Sequence, residues 1–408
     1  MELDLGPEAA AFRAEVRDWI SRNAPAGLAD LVDWTSPPMT GGDRAAFERA
    51  EADPRYAEWT QILLDAGWIC PQWPAEHGGR GLTPVENAIY SEELVRAGLP
   101  RIRRGFGESM VGPSIMVHGT EEQQKHFLPR VITAEDVYCQ GFSEPEQGSD
   151  LGGVQTRATV VGDEVVVTGQ KVWTSGFYRA NMIFVLCRTD PEAPKHKGLS
   201  YVLLPMRDNN IDARPLKQLT GSAEFGEEFI DGARAPLFNV IGGLNNGWRV
   251  AMTTLGHERG GGATIAHLRY RRQFEALVEL AREKGRDRDP GVRQELAWCH
   301  THVEIMRYQG MRLMAQLAEG REPGPEASIS KLFWSEYERR VGEIAAELLG
   351  AEALVRPEGD GYRTSHWQGV FLASRAGTIF SGTSEIQRNI IAERALGLPR
   401  EPVAGGVR

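Results

Sequence analysis

The chain has 408 residues, 41% of them hydrophobic and 25% charged, with 46 basic against 56 acidic side chains and a net charge of −10. That length asks for two or three domains, and the acidic balance argues against a nucleic-acid binder, which needs a cationic surplus to displace counterions from phosphates. No run of about 18 apolar residues occurs, so no membrane partner is expected. The opening Met1-Glu2-Leu3-Asp4-Leu5 lacks a secretory layout, and Cys70, Cys139, Cys187 and Cys299 form no CxxC pair, which together fit a reducing cytoplasm.

In chain order, residues 1–134 read as a helical domain. Phe12, Val16, Trp19 and Ile20 repeat at helix spacing. A polar stretch from Trp34 to Arg55 reads as loop with a short helix, and Glu58–Ala66 as helix again. Trp73 to Gly81 is too glycine-rich for either regular state, after which Thr83, Pro84 and Glu86 carry the pattern of a capped helix start. Residues 135–242 switch to a period of two: Thr156–Val161 and Glu164–Thr168 flank Gly162-Asp163 as a hairpin, and Ile183–Arg188 and Leu199–Leu204 are further strands, together suggesting a small barrel. Residues 243–408 return to helix period in four segments, near 247–284, 291–318, 325–351 and 366–395, whose short connections favour a four-helix bundle. The fold class expected is α+β: helical domain, β-barrel, four-helix bundle.

Four segments stand out chemically. Gln140 to Gly153 is either a polar interdomain loop or a turn rich in N–H and hydroxyl donors, suited to a flat heteroaromatic ring or a phosphate. Gly169 to Gly176 sets Trp173 among small hydroxyl residues, as a core aromatic or a stacking wall. Leu255-Gly256-His257-Glu258-Arg259-Gly260 places two glycines in a helix, at about 1 kcal/mol each, which a kink or a close ligand would explain. In Gly377 to Arg388, Ser381, Thr383 or Ser384 caps a helix whose start is either bare or meets a phosphate or carbonyl. No GxGxxG follows a strand, and HExxH, GxSxG and GxxxxGK[ST] are all missing, so Rossmann, metalloprotease, α/β-hydrolase and P-loop readings lose their support, and no metal site is expected.

Together these segments resemble the acyl-CoA dehydrogenase family of flavoproteins. Ser143-Glu144-Pro145 through Gly148-Ser149-Asp150 is similar to its flavin loop, Gly169–Gly176 to its second flavin segment, Ser381–Arg388 to its C-terminal signature, and Pro74-Ala75-Glu76-His77-Gly78-Gly79 to its N-terminal turn. The resemblance runs over residues 5–400 and implies FAD-dependent removal of hydrogens from the α and β carbons of an acyl-CoA or related acyl thioester. The β hydrogen passes as hydride to flavin N5, and hydrogen bonds to the thioester carbonyl stabilise the enolate. Many relatives carry the proton-abstracting Glu where this chain has Ser381. A subgroup, including isovaleryl- and long-chain-type enzymes, places it on the first bundle helix before an Arg, and Glu258-Arg259 occupies that place.

Carried over residue by residue, Gln140, Phe142, Ser143, Gly148, Ser149, Trp173, Thr174 and Ser175 would bind FAD, with Phe380, Thr383 and Glu385 toward its far end. Ser149 and Arg259 would face the CoA portion. Glu385 stands where Gln is common, and Ala281 to Arg286 lacks the family's R-x-x-F-G. The resemblance implies electron-transfer flavoprotein as acceptor and a homo-oligomer, dimer or tetramer, or an α2β2 heterotetramer. Rival readings are a flavin oxidase or monooxygenase of the same fold, for which an α-proton base is needless, and a non-catalytic subunit of a heteromeric dehydrogenase.

Overall fold

The computed structural model describes residues 6–31, 48, 50–258, 266–319, 321, 324, 325, 327–355 and 364–400. Most of the polar stretch expected as loop from Trp34 to Arg55 lies outside them. The described chain divides into two compact units, one of residues 7–32 and 44–261, the other with residues 262–408 as its main body.

In the first unit helices start where the sequence supplies caps. Helix α1 spans Gly6–Asn23 and α2 spans Pro54–Asp65, where Asp53 accepts from the Arg55 N–H and a proline enters the first turn. Helix α3, Pro84–Arg96, carries the full capping box: Thr83 accepts from the Glu86 N–H while the Glu86 carboxylate accepts from the Thr83 N–H. A π-type turn, Gly107–Val111, leads into α4, Gly112–His118, and α5 follows at Glu121–Thr133.

The strands are β1 Tyr138–Gly141, β2 Arg157–Val161, β3 Glu164–Ser175, β4 Met182–Arg188, β5 Leu199–Pro205, β6 Ile211–Leu216, β7 Phe225–Pro236 and β8 Val240–Ile241. They form one sheet in the order β6-β7-β3-β2-β4-β5-β8, with β1 parallel to β4. The β2–β3 hairpin turns at Gly162-Asp163 as expected. Strands β4 and β5 are buried on both faces, and alternation sorts their side chains. Ile183, Val185, Cys187, Val202 and Leu204 join Cys139, Ala158, Val165, Val167, Ile230 and Val240 in one core, so the sheet rolls around its own apolar face. Phe184, Leu186, Leu199, Tyr201 and Leu203 point the other way, into a second core with Trp59, Leu63, Trp68, Tyr90, Met110, Val111 and Phe127 of the helical layer. Helix α6, Gly247–Glu258, packs on this second side through Val250 and Ala251. All four cysteines are buried and free.

The second unit holds α7 Ala266–Glu283, α8 Pro290–Ala318, α9 Ala327–Leu349 and α10 His366–Gly377. Tyr270, Leu277, Cys299, Val303, Tyr337, Val341, Ile344 and Val370 close one core among these four helices, the bundle expected. One segment differs from the reading above, and another is described only in two parts. The stretch 247–284 is not one described helix: α6 ends at Glu258, α7 begins at Ala266, and the residues between lie outside the description. The stretch 366–395 is broken after Gly377 by a turn, and α11, Ser384–Ile390, starts afresh. The break is conformational, since Ser381 and Gly382 both take the left-handed region, with φ of 52° and 88°.

Candidate active site

The loop after β1 turns tightly because Glu144 and Gln147 exchange both backbone hydrogen bonds, at 2.9 and 3.0 Å. Its anchor is the Glu144 side chain. The buried carboxylate accepts from the Gln155 N–H at 2.6 Å, from the Thr156 N–H at 2.9 Å and from Lys171 Nζ at 2.9 Å. Lys171, on β3 and wholly buried, also donates to the Phe142 carbonyl at 3.1 Å and the Leu186 carbonyl at 2.9 Å. Burial pulls the Lys171 ammonium below its ordinary pKa, while Glu144 opposes the shift. Burial also works against the charge on Glu144, but Lys171 and the N–H donors outweigh it and hold the carboxyl below its usual value. The Val172 N–H donates to the Ser143 carbonyl at 3.0 Å. The first two sequence segments are therefore fastened to each other.

Beyond this clamp β3 bulges between Val172 and Thr174. Trp173 sits on the bulge with φ of 62°; the residue is 59% exposed, and its indole meets Phe225 edge-on at 6.0 Å. A left-handed tryptophan is costly, and such conformations persist where the surroundings impose them. Here Thr174 is pinned on the inner side: its hydroxyl bonds the carboxyl of Glu228 on β7, fully buried like Thr174 itself. Burial, opposed by the Thr174 hydrogen bond, pushes the Glu228 carboxyl up to about 8.

Of the remaining expected residues in this unit, Gln140 is half-buried on β1, and Phe142 is buried edge-on to Phe184 and Tyr201 at 5.4 and 6.1 Å. Ser143 and Ser175 are half-buried; Gly148 and Ser149 are exposed on the loop. An indole free on its outer face beside half-buried hydroxyls suits a planar heteroaromatic group, so the residues present fit a flavin ring. Glu258 is the last residue of α6, whose Thr254 bonds Ser114 of α4 at 2.7 Å and whose Val250 shares a core with Phe142. Arg259 lies outside the described residues.

In the second unit Thr383 caps α11, accepting from the Ile386 N–H at 3.2 Å. Phe380 is half-buried, 6.0 Å from Trp334. Glu385 is exposed, its carboxyl held below the ordinary range by its own backbone N–H and by Thr383, so its charge persists. Lys331 of α9 fixes the preceding turn, donating to the Gly377 carbonyl at 2.9 Å and the Gly382 carbonyl at 2.7 Å, and Gln387 donates to the Ser381 carbonyl at 2.8 Å. Sequence reasoning did not single out Lys331 or Glu228. Alternation along β7, in which Gly226, Glu228 and Ile230 all point inward, was the available signal for Glu228.

Three family models match in succession: the acyl-CoA dehydrogenase N-terminal domain over residues 42–135, the middle domain over 139–230 and the C-terminal domain over 245–396. The acyl-CoA dehydrogenase IpdE1 of Mycolicibacterium smegmatis is 42% identical over 404 residues, covering 97% of this chain and 99% of its own. The chain belongs to the acyl-CoA dehydrogenase family. IpdE1 of Mycobacterium tuberculosis is likewise 42% identical, over 96% of this chain and 98% of that one. Among solved structures, the Tcur3481-Tcur3483 steroid ACAD superposes with a TM-score of 0.78 at 31% identity, covering 98% of this chain and all of that one. The ChsE4-ChsE5 complex of M. tuberculosis does so with a TM-score of 0.74 at 28% identity, at 98% and 100% coverage. The helical, β and helical order expected from the sequence is the family's. The enzyme is an acyl-CoA dehydrogenase, and the family it belongs to depends on FAD. No described helix is long and apolar enough to cross a membrane.

Proposed function

We propose that this acyl-CoA dehydrogenase binds FAD and oxidises the Cα–Cβ bond of an acyl thioester, with Glu258 as the base. The observation that carries the reading is the fastening of the Phe142–Gln147 loop to β3 by Glu144 and Lys171, beside the outward Trp173. Ser143 and Ser175 would bond the ring edges, Trp173 would flank the ring, and Gln140, Phe142, Gly148 and Thr174 would shape the pocket around it. Ser149 and Arg259 would hold the CoA portion, and Phe380, Thr383 and Glu385 the far end of the cofactor. FAD, when bound, supplies the acceptor for the hydrogen that leaves Cβ. Glu258 takes the Cα proton. A neutral carboxyl results, and the enolate oxygen needs hydrogen-bond donors fixed in advance. Ser381, an unactivated hydroxyl, takes no part in proton transfer.

The chain is read as three domains, 1–134, 135–242 and 243–408, working in the cytoplasm and passing electrons to an electron-transfer flavoprotein. The chain is read as a homo-oligomer, dimer or tetramer, with an α2β2 heterotetramer as the alternative that its structural neighbour, the ChsE4-ChsE5 complex, supports.

Glu258→Gln tests the assignment. The variant should purify yellow, keep the wild-type flavin content and fail to bleach when an acyl-CoA is added anaerobically. Near-normal bleaching would remove Glu258 from the chemistry. A wild-type protein reoxidised rapidly by air would point to an oxidase, and one that stays colourless and inert with added FAD would point to a non-catalytic subunit.

A further inference from the structure

Three arginines stand close together in the segment between α3 and the π-type turn: Arg101, Arg103 and Arg104. Arg101 and Arg104 share one buried carboxylate, Glu108, and both of its oxygens are used. One accepts from Arg101 Nη2 at 3.1 Å, the other from the Arg104 backbone N–H at 3.1 Å. Arg101 is also tied to Ser91 at 2.6 Å and Asn87 at 3.2 Å, and Arg104 donates through Nε to the Ile132 carbonyl at 2.7 Å. Among the described residues Arg103 has no hydrogen-bond or ion-pair partner. It is exposed, yet its guanidinium is pushed down to about 10, first by repulsion from Arg101 and then by burial. An exposed guanidinium with no anion of its own, set against a second cation, suits an oxyanion that arrives from outside.

The segment's position says which molecule brings that anion. Three residues on, Phe106 meets Phe184 edge-on at 6.1 Å, and Phe184 meets Phe142 at 5.4 Å. The following turn buries Met110 and Val111 in the core shared by Phe142 and Val250 of α6, and α4, which that turn leads into, bonds α6 through Ser114 and Thr254. Arg103 thus stands on the element that walls the unit between the ring-facing loop and the helix ending in Glu258. Ser149, assigned to the CoA portion, lies on a different loop.

We propose that Arg103 recognises a carboxylate carried by the acyl group, so that the substrate class is an acyl thioester with a second, anionic end rather than a plain fatty acyl chain. The inference rests on the acyl-CoA dehydrogenase reading but is tested by binding, not by turnover. Arg103→Gln and Arg103→Lys are compared with wild type in calorimetric titrations against CoA monothioesters of six-, eight- and ten-carbon dicarboxylic acids and against the methyl ester of each. Because Arg103 donates to no acceptor among the described residues, both variants should fold and keep the wild-type melting temperature.

Wild type should favour the acid over its ester by about tenfold at one chain length or more, as charge-assisted bonds do. The Gln variant should lose that preference while its affinity for the ester stays within about threefold. The Lys variant should keep part of it. An equal affinity for acid and ester at every length in wild type, or a preference that survives in the Gln variant, overturns the proposal. Repeating the series with 3′-dephospho-CoA thioesters separates the other source of anionic oxygen: an Arg103→Gln defect that vanishes there assigns the residue to the CoA phosphate and refutes the acyl carboxylate. A carboxylate preference in a protein that never bleaches its flavin would leave Arg103 in place and defeat the dehydrogenation reading instead.

Discussion

Lys171 reaches Glu144 at 2.9 Å with its own side chain wholly buried and only 6% of its partner's exposed. A buried pair contributes little net stability relative to an apolar substitute, but removing one member strands the other charge, at roughly 3–5 kcal/mol. Lys171→Met should therefore lower the melting temperature sharply and release flavin at temperatures where wild type retains it. The double variant Lys171→Met, Glu144→Gln should recover part of the loss. Melting curves followed by flavin fluorescence and by circular dichroism check this; additivity of the two single changes would show that the residues are not coupled.

Glu228 gives the protein a pH dependence of definite sign. Its carboxyl, near 8 in the folded chain, returns to about 4.3 on unfolding. The folded state thus holds a proton that the unfolded state has lost between those values, and stability falls as pH rises through that window, by up to about 1.4 kcal/mol per unit. Glu228→Gln, uncharged throughout, should remove this slope and match wild type best near pH 5. Chemical denaturation from pH 5 to 9 measures it, and parallel curves for the two proteins would mean that Glu228 is ionised in the fold.

Lys331 holds two carbonyls of the turn that precedes α11, 46 and 51 residues away along the chain. Lys331→Met should loosen that turn and expose the Thr383 cap, raising amide hydrogen exchange at Ile386 well above wild type while exchange in α8 is unchanged. Unchanged protection at Ile386 would show that Thr383 and Gln387 suffice.

Much of this was legible in the sequence, and what was legible was local. The Thr83–Glu86 box and the Gly162-Asp163 hairpin are complete within a few residues, so local chemistry decides them. The pairing of Glu144 with Lys171 was not, although both lie in segments that drew notice: it depends on the β1 loop folding back onto β3. Nothing near Arg103 in the sequence marks it out, because the use of both Glu108 oxygens by Arg101 and by the Arg104 N–H depends on how the segment folds. The break at Ser381 needed a backbone conformation that residue type does not announce. Glu258 was chosen through resemblance, and the described residues give its place at the end of α6 and nothing of its side chain.

The two-faced burial of β4 and β5 bears on how such a chain can be rearranged. Because Phe184, Tyr201 and Leu203 belong to the helical layer's core while their neighbours Val185, Val202 and Leu204 fill the sheet's own, the β portion is not a transplantable module. Excised or swapped alone, it would present an oily stripe to water and clump. The helical layer and the sheet should be inherited, expressed and melted as one piece.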